Sequence, residues 1–333
     1  MPLVLTAAQD DDGRRLDRIL RIYMEKTVPD LPLSAIYRLI RMGKVLVDGK
    51  KAGADSRVKT GQVIEIKNIQ KNDVDLSEKQ EISSIKQPDI QSNNKIFPLC
   101  ILFEGNGLLI LNKPAGIAVH GEHSLEEQVV SYLSPGLPES ISFRPGPLHR
   151  LDRMTSGIIV FSKNLDGARS FSSLLRERKV VKQYLAVVDG LIGKKETWGD
   201  LLVRDKNLRK TFTSDSNNCN KHNQGKSAES VVTPLASDGG RSLILVEIKT
   251  GRTHQIRAQA AARGRPLSGD KKYGGLPIEN ITGGGYMLHA YRLGFPDANG
   301  KPLVITAPPF AKNVLWDKFI PCLSSIPKTN TAL

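Results

Sequence analysis

Cysteine is scarce in this chain, and nothing stands in for it. Cys100, Cys219 and Cys322 are the only three, odd in number and far apart, which argues against a disulfide framework and against a thiolate zinc site. Of six histidines only His120 and His123 lie close together, in a glycine-bearing loop with nothing near to complete a ligand set. No metal is expected. Long apolar runs are missing too: none approaches the ~18 residues of a membrane span. Met1 to Ala8 lacks a basic stretch and runs straight into Asp10-Asp11-Asp12, so no secretion signal is expected and cytoplasm is the default. There is no internal repeat.

Positive charge, by contrast, is in excess. Forty-eight Lys+Arg against 34 Asp+Glu give a formal net charge of +14, which argues for a polyanionic partner, nucleic acid or an acidic membrane surface. A basic protein with no such partner stays open on charge alone. At 333 residues the chain can hold a main domain and a smaller attached one. In the first part, Leu16, Ile19, Leu20 and Tyr23 recur at helical spacing until Pro29 and Pro32. A second helix fits Ser34 to Met42, with Ser34 as N-cap and Gly43 as stop. Arg38 and Arg41 lie on its outward side and Lys44 just beyond. Val45-Leu46-Val47, the hairpin signal Asp48-Gly49 and the alternating Val63-Ile64-Glu65-Ile66 complete a small sheet. A solvated face and a binding face are equally open for the basic helix.

Residues 1–67 therefore read as one small domain, and 68–95, polar and poor in large apolar residues, as a flexible linker. Residues 96–320 read as a catalytic domain and 321–333 as a disordered tail. Ser214 to Lys226 is a second polar island, expected to be a surface loop. Strand signals occur at Ile101–Phe103, Leu108–Leu111, Ile158–Phe161, Tyr184–Val188, Leu201–Val203, Ser230–Leu235 and Leu243–Lys249, with helices chiefly at Ala168–Arg178 and His254–Arg263. Many strands without regular strand-helix alternation predict an α+β fold on a largely antiparallel mixed sheet.

The main domain is organised around Pro147-Leu148-His149-Arg150-Leu151-Asp152-Arg153-Met154-Thr155-Ser156-Gly157, just before the buried-looking run Ile158 to Phe161. A carboxylate at the mouth of a buried strand loses hydration and needs partners, for which Arg150, Arg153, Thr155 and Ser156 are at hand. Locally, a structural salt bridge or a turn cap is the commoner role. Four more stretches carry unusual polar residues: Leu111-Asn112-Lys113-Pro114-Ala115-Gly116-Ile117-Ala118-Val119-His120, whose Pro and Gly alone say only turn, Lys182-Gln183-Tyr184, Thr250-Gly251-Arg252-Thr253-His254-Gln255-Ile256-Arg257, and Met287-Leu288-His289-Ala290. A lone strand tyrosine is usually packing. In the third stretch Thr253 can cap a helix whose start, with Arg252 and Arg257, could hold an anion. A lone histidine among apolar residues is most often a satisfied core residue.

Residues 13 to 67, in the order Arg14-Arg15-Leu16-Asp17, Ser34 to Gly49, then Gly61-Gln62-Val63-Ile64, resemble an S4 RNA-binding domain, a family that sets its basic second helix against structured RNA. Arg38, Arg41 and Lys44 are then the expected contacts. The string His149-Arg150-Leu151-Asp152-x-x-Thr155-Ser156-Gly157, followed by Lys182-x-Tyr184-x-Ala186, by Gly251 to Arg257, and by Leu288-His289-Ala290 with Ala307-Pro308-Pro309, resembles the RluA-type pseudouridine synthases over residues 96 to 310. Together with the S4-like stretch this points to the branch acting on large-subunit (23S) ribosomal RNA and to RluC-like members. Gln259, where many members have histidine, and the insertion after Ser214 are the departures.

The resemblance implies isomerisation of uridine to pseudouridine in RNA without cofactor or metal; whether the RNA is free or in an assembly intermediate stays open, cytoplasm is the default, and nothing in the sequence demands more than a monomer. The resemblance assigns Asp152 as nucleophile or C2′ base, Tyr184 as the residue that stacks on the uracil and helps with the C5 proton, and Arg257 as the cation beside Asp152, with His149, Arg150 and Arg252 contacting RNA. Such chemistry suits the residues, because an ionised carboxylate answers the electron-poor sugar formed when the glycosidic bond breaks. Two other readings compete: an RNA-docking factor with an inactive synthase-like domain, against which Asp152, Tyr184 and Arg257 stand intact, and a glycosidase, which needs two carboxylates where the core motif offers one.

Overall fold

The computed structural model describes residues 2–27, 31–67, 98–136, 140–214, 225–278, 285–310 and 314–325. It divides into two units, Met1–Phe97 with Val130–Gly146 and Lys163–Asp166, and Pro98–Val129 with Pro147–Ser162 and Gly167–Leu333. The proposed linker at 68–95 and most of the polar island, 215–224, lie outside the described residues. Among the described residues no helix is long and apolar enough to cross a membrane.

In the first unit β1 (Leu3–Thr6), β2 (Arg14–Arg15), α1 (Leu16–Thr27), α2 (Leu33–Arg41), β3 (Val45–Val47), β4 (Lys50–Lys51), β5 (Arg57–Val58) and β6 (Val63–Ile66) follow in order. The strands form a sheet β1-β6-β3-β4 and a short β2-β5 ribbon. The helical spacing visible in the sequence is the buried stripe: Leu16, Ile19, Leu20, Ile36, Leu39 and Ile40 pack with Ile64 and Ile66 in one core. Asp48 (φ 49°) and Gly49 (φ 73°) both take left-handed backbone, as a two-residue type I′ hairpin demands. Ser34 is not the N-cap: α2 starts at Leu33 after the extended Pro32, with no side-chain cap. The unit extends beyond residue 67 because the buried Asp11 carboxylate accepts from Ile141 N (3.0 Å), Ser142 N (3.0 Å) and Ser142 Oγ (2.6 Å). Ile141 packs on the same core.

The second unit is built on β7 (Ile101–Gly105), β8 (Leu108–Lys113), β9 (Ser156–Ser162), β10 (Val181–Asp189), β11 (Glu196–Asp205), β12 (Lys210–Thr213), β13 (Lys226–Ser237), β14 (Arg241–Ile248), β15 (Leu288–Pro296) and β16 (Pro302–Thr306). Helix α5 (Gln255–Ala262) follows β14 and α6 (Val314–Phe319) follows β16, whereas α3 (Leu125–Leu133) and α4 (Leu165–Arg176) have residues in both units. All ten strands share one sheet, ordered β12-β11-β13-β14-β10-β15-β9-β8-β7 with β16 on β15. Every pair is antiparallel except β9–β15, so the sheet is mixed and largely antiparallel. Residues 320–325 form a 3-10 turn from which Cys322 and Leu323 pack beside Trp316 and Phe319. The segment expected to be a tail is thus ordered up to 325, and 326–333 lie outside the described residues.

This strand order gathers the separated motifs. β14, β10, β15 and β9 are successive neighbours, so the loop entering β9, the middle of β10 and the helix leaving β14 meet although up to 105 residues separate them. The parallel junction is tight: Gly157 (φ +106°) faces Ala290, whose carbonyl oxygen would stand 2.2 Å from any Cβ added there. His289 is the satisfied core histidine anticipated, fully buried and bonded to Ser156 Oγ and Ala307 O at 2.9 Å each.

Candidate active site

The loop bearing Asp152 is fixed from several sides. Leu148 N reaches Val160 O (2.8 Å), Val160 N donates to His149 Nε2 (3.1 Å), and Thr155 N returns to Asp152 O (3.0 Å) in a tight turn. The fully buried Lys113, at the end of β8, gives its three donors to Pro114 O, Ile117 O and Arg153 O (2.8, 3.0 and 3.1 Å), tying the next turn to this loop. Burial pushes its ammonium down to about 7, with the charge of Asp152 pulling the other way.

The partners of Asp152 are not those its sequence neighbours suggest. Arg150 is exposed, Arg153 donates to Gly116 O, and Ser156 serves His289. Instead Oδ2 meets Arg257 Nη1 at 3.2 Å, Tyr286 OH at 3.4 Å and His254 Nε2 at 3.5 Å. Thr155 acts at one remove, its hydroxyl 3.1 Å from that of Tyr286. All three contacts fall on Oδ2, and among the described residues Oδ1 is left for a reactant.

Arg257 comes from α5, and its strongest partner is a second carboxylate. Nε and Nη2 grip Asp270 at 2.7 and 2.9 Å, while Tyr286 and Tyr273 lie 4.2 and 4.9 Å from the guanidinium carbon. Burial opposes its charge, but the Asp270 hydrogen bond and the charges of Asp270 and Asp152 outweigh this and raise its pKa. The start of α5 differs from expectation as well. Thr253 does not cap; its hydroxyl accepts from Arg204, and Gln255 Oε1 instead takes Arg252 N (3.0 Å) and Thr250 Oγ1 (2.8 Å). His254 is the N-cap residue, in left-handed conformation. Gln259 is fully buried, holding Asp200, Trp198 O and Ser230 at 2.7, 3.0 and 2.7 Å.

One cleft of about 330 Å³ collects Asp152, Tyr184, Arg257, His149, Arg150 and Arg252 with Lys182 and His254. Tyr184 is nearly buried, and burial, then the charge of Asp152, raises its pKa, so the phenol stays protonated. Burial lowers Lys182, and it pushes His149 and His254 down to about 4, in the latter case against the pull of Asp152. Arg38, Arg41 and Lys44 belong to the first unit, on α2 and the turn after it. Asp270, Tyr273 and Tyr286 have no sequence signal beyond turn residues such as Gly274-Gly275, because they act only through where their loops meet α5.

A carboxylate beside an arginine thus lies in a basic cleft on this mixed sheet, formed by the residues that the resemblance to pseudouridine synthases singles out. The family model described as RNA pseudouridylate synthase matches residues 107–262, and the chain belongs to that family. It is 33% identical over 323 residues to the ribosomal large subunit pseudouridine synthase C of Pasteurella multocida, covering 94% of this chain and 92% of that one. Its identity to the protein of the same name from Haemophilus influenzae is 32%, over 91% of this chain and 90% of that one. Among solved structures, human RNA pseudouridylate synthase domain containing 4 shares the fold with TM-score 0.54 and 21% identity, covering 68% of this chain and 94% of that one.

Proposed function

We propose that the chain isomerises specific uridines of large-subunit ribosomal RNA to pseudouridine, working as a cytoplasmic monomer without metal or cofactor. The observation that carries this is the Asp152 carboxylate, anchored through Oδ2 and open at Oδ1, in a chain that matches large-subunit synthases over nine-tenths of its length. Asp152 attacks C1′ or takes the C2′ proton; Arg257 keeps it charged and oriented. Tyr184 stacks on the freed uracil. Its protonated phenol suits hydrogen bonding to the turning base better than service as a phenolate. The target is extruded from folded RNA at a cost of roughly a few kcal/mol, with His149 and Arg150 near the space it leaves and Arg252 on the strand. The first unit acts as an S4-like RNA-binding domain through Arg38, Arg41 and Lys44.

The test has two arms. Pseudouridine mapping of ribosomal RNA from cells with and without the protein should lose discrete sites. Asp152→Asn should bind large-subunit RNA as the wild type does and release no tritium from C5-labelled uridine; residual turnover by that variant would sink the assignment.

A further inference from the structure

One buried chain of hydrogen bonds ends beside Asp152 without an obvious purpose. The phenolic oxygen of Tyr273 accepts from Thr211 N (2.9 Å), lies 3.1 Å from Thr211 O, and stands 2.9 Å from His254 Nδ1. Thr211 sits on β12, the last strand of the sheet, paired with Arg204 on β11. Its N–H points to Tyr273, away from β11, and so does its carbonyl, for which the phenol is the one donor among the described residues. A phenol has a single proton. Given to Thr211 O, it leaves an oxygen that can only accept, so the imidazole must carry its proton on Nδ1 and donate. Nε2 is then a bare lone pair, 3.5 Å from Oδ2 of Asp152, which is itself an acceptor.

Two acceptors facing each other repel unless a donor lies between or beside them. Arg257 and Tyr286 already approach Oδ2 from other directions, and no described donor reaches Nε2. Solvent can supply one in the free protein, and with the cleft filled the substrate takes that place. With Asp152 acting at C1′ or C2′, the nearest donor is the hydroxyl on C2′. Resting on the functional reading above, we infer that His254 accepts a hydrogen bond from the ribose 2′-hydroxyl of the target nucleotide, and that Tyr273 sets the tautomer that lets it. The pair then reads RNA against DNA at the reacting sugar, where the 2′-hydroxyl is the distinguishing group.

The backbone offers a clean variant. His254 has φ 55° and ψ 23°, a conformation asparagine tolerates better than most residues. His254→Asn keeps a polar group near the Nδ1 position, within reach of Tyr273, and removes Nε2. Single-turnover rates would be measured on a synthetic stem-loop containing a uridine that the wild-type protein converts in transcribed large-subunit RNA, made with ribose or 2′-deoxyribose at that nucleotide. Comparing the ratio of the two rates in a variant with that in the wild type cancels the intrinsic effect of the hydroxyl on bond cleavage. In His254→Asn this ratio should fall by about tenfold, the size of one hydrogen bond; in Tyr273→Phe, which frees the tautomer, it should fall partway. A ratio equal to that of the wild type in both variants would overturn the role of His254. A wild-type protein that converts no uridine of the transcribed large-subunit RNA from which the stem-loop is chosen would instead refute the functional reading on which the inference stands.

Discussion

Arg257 is shared by two carboxylates with unequal claims. Asp270, only 1% exposed, takes two of its nitrogens, and Asp152 takes one at the longer distance of 3.2 Å. Neutralising Asp152 therefore leaves the buried guanidinium paired, whereas neutralising Asp270 strips it. Asp152→Asn should change unfolding free energy by less than about 1 kcal/mol, and Asp270→Asn should cost about 3 kcal/mol, as removing one member of a buried pair does. Urea unfolding at equal m-value checks this, and equal losses in the two variants would contradict it. Asp152, Tyr184 and Arg257 are legible in the sequence because each lies in a patterned stretch. Asp270 is not, because a carboxylate in a lysine-rich turn looks solvated until the turn is seen against α5. His289 gives a pH dependence. Burial pushes it down to about 4 from an ordinary 6.5, so between those values the unfolded chain binds more protons. Stability is complete above about pH 6.5 and falls on acidification toward pH 4, by up to roughly 3 kcal/mol at 1.36 kcal/mol per unit. Titration of the His289 ring by NMR with a midpoint near 6.5 would refute this.

At the scale of elements, the strands most visible in the sequence are those with an unbroken apolar run or clean alternation, such as β8, β9 and β14. β15 reads only as a histidine among apolar residues. It is buried along nearly its whole length, so it lacks the period of two that marks a half-buried strand. Yet β15 closes the site, since its parallel pairing with β9 sets where the Asp152 loop emerges. Gly157 makes that pairing possible, both through its positive φ and through the space Ala290 occupies. Gly157→Ala should therefore cost at least about 2 kcal/mol from backbone strain alone. Because the clash displaces the loop, the single-turnover rate of the remaining folded protein should fall by roughly 100-fold, the effect expected of a 1 Å misplacement. Thermal unfolding and rate should be measured on the same preparation; full activity in a destabilised variant would show that the junction supports the fold without aiming Asp152.

Over the whole molecule the excess of positive charge is the most visible clue and the least specific one. A net charge of +14 predicts salt-sensitive binding to any polyanion, and it is the cleft proposed as the active site, around Asp152, that points beyond binding to a reaction. The contribution of the first unit is separable in principle, but deletion of residues 1–67 is a poor tool. Asp11 holds the backbone of Ile141 and Ser142, and Asp10 that of Leu165, so truncation would strip partners from segments far along the chain. Charge removal on α2 avoids this, since Arg41 is exposed and Arg38 and Lys44 are half-buried at the surface of the same unit. Removing one cation that neutralises a phosphate makes the slope of log K against log salt shallower by about 0.7 to 0.9. Arg38→Gln, Arg41→Gln and Lys44→Gln together should flatten the slope for large-subunit RNA by roughly 2 and weaken binding at low salt, while the single-turnover rate at saturating enzyme stays that of the wild type. Filter binding across a salt series gives the slope. An unchanged slope would mean that this basic face is merely solvated, and a reduced rate at saturation would mean that it also positions the RNA for chemistry.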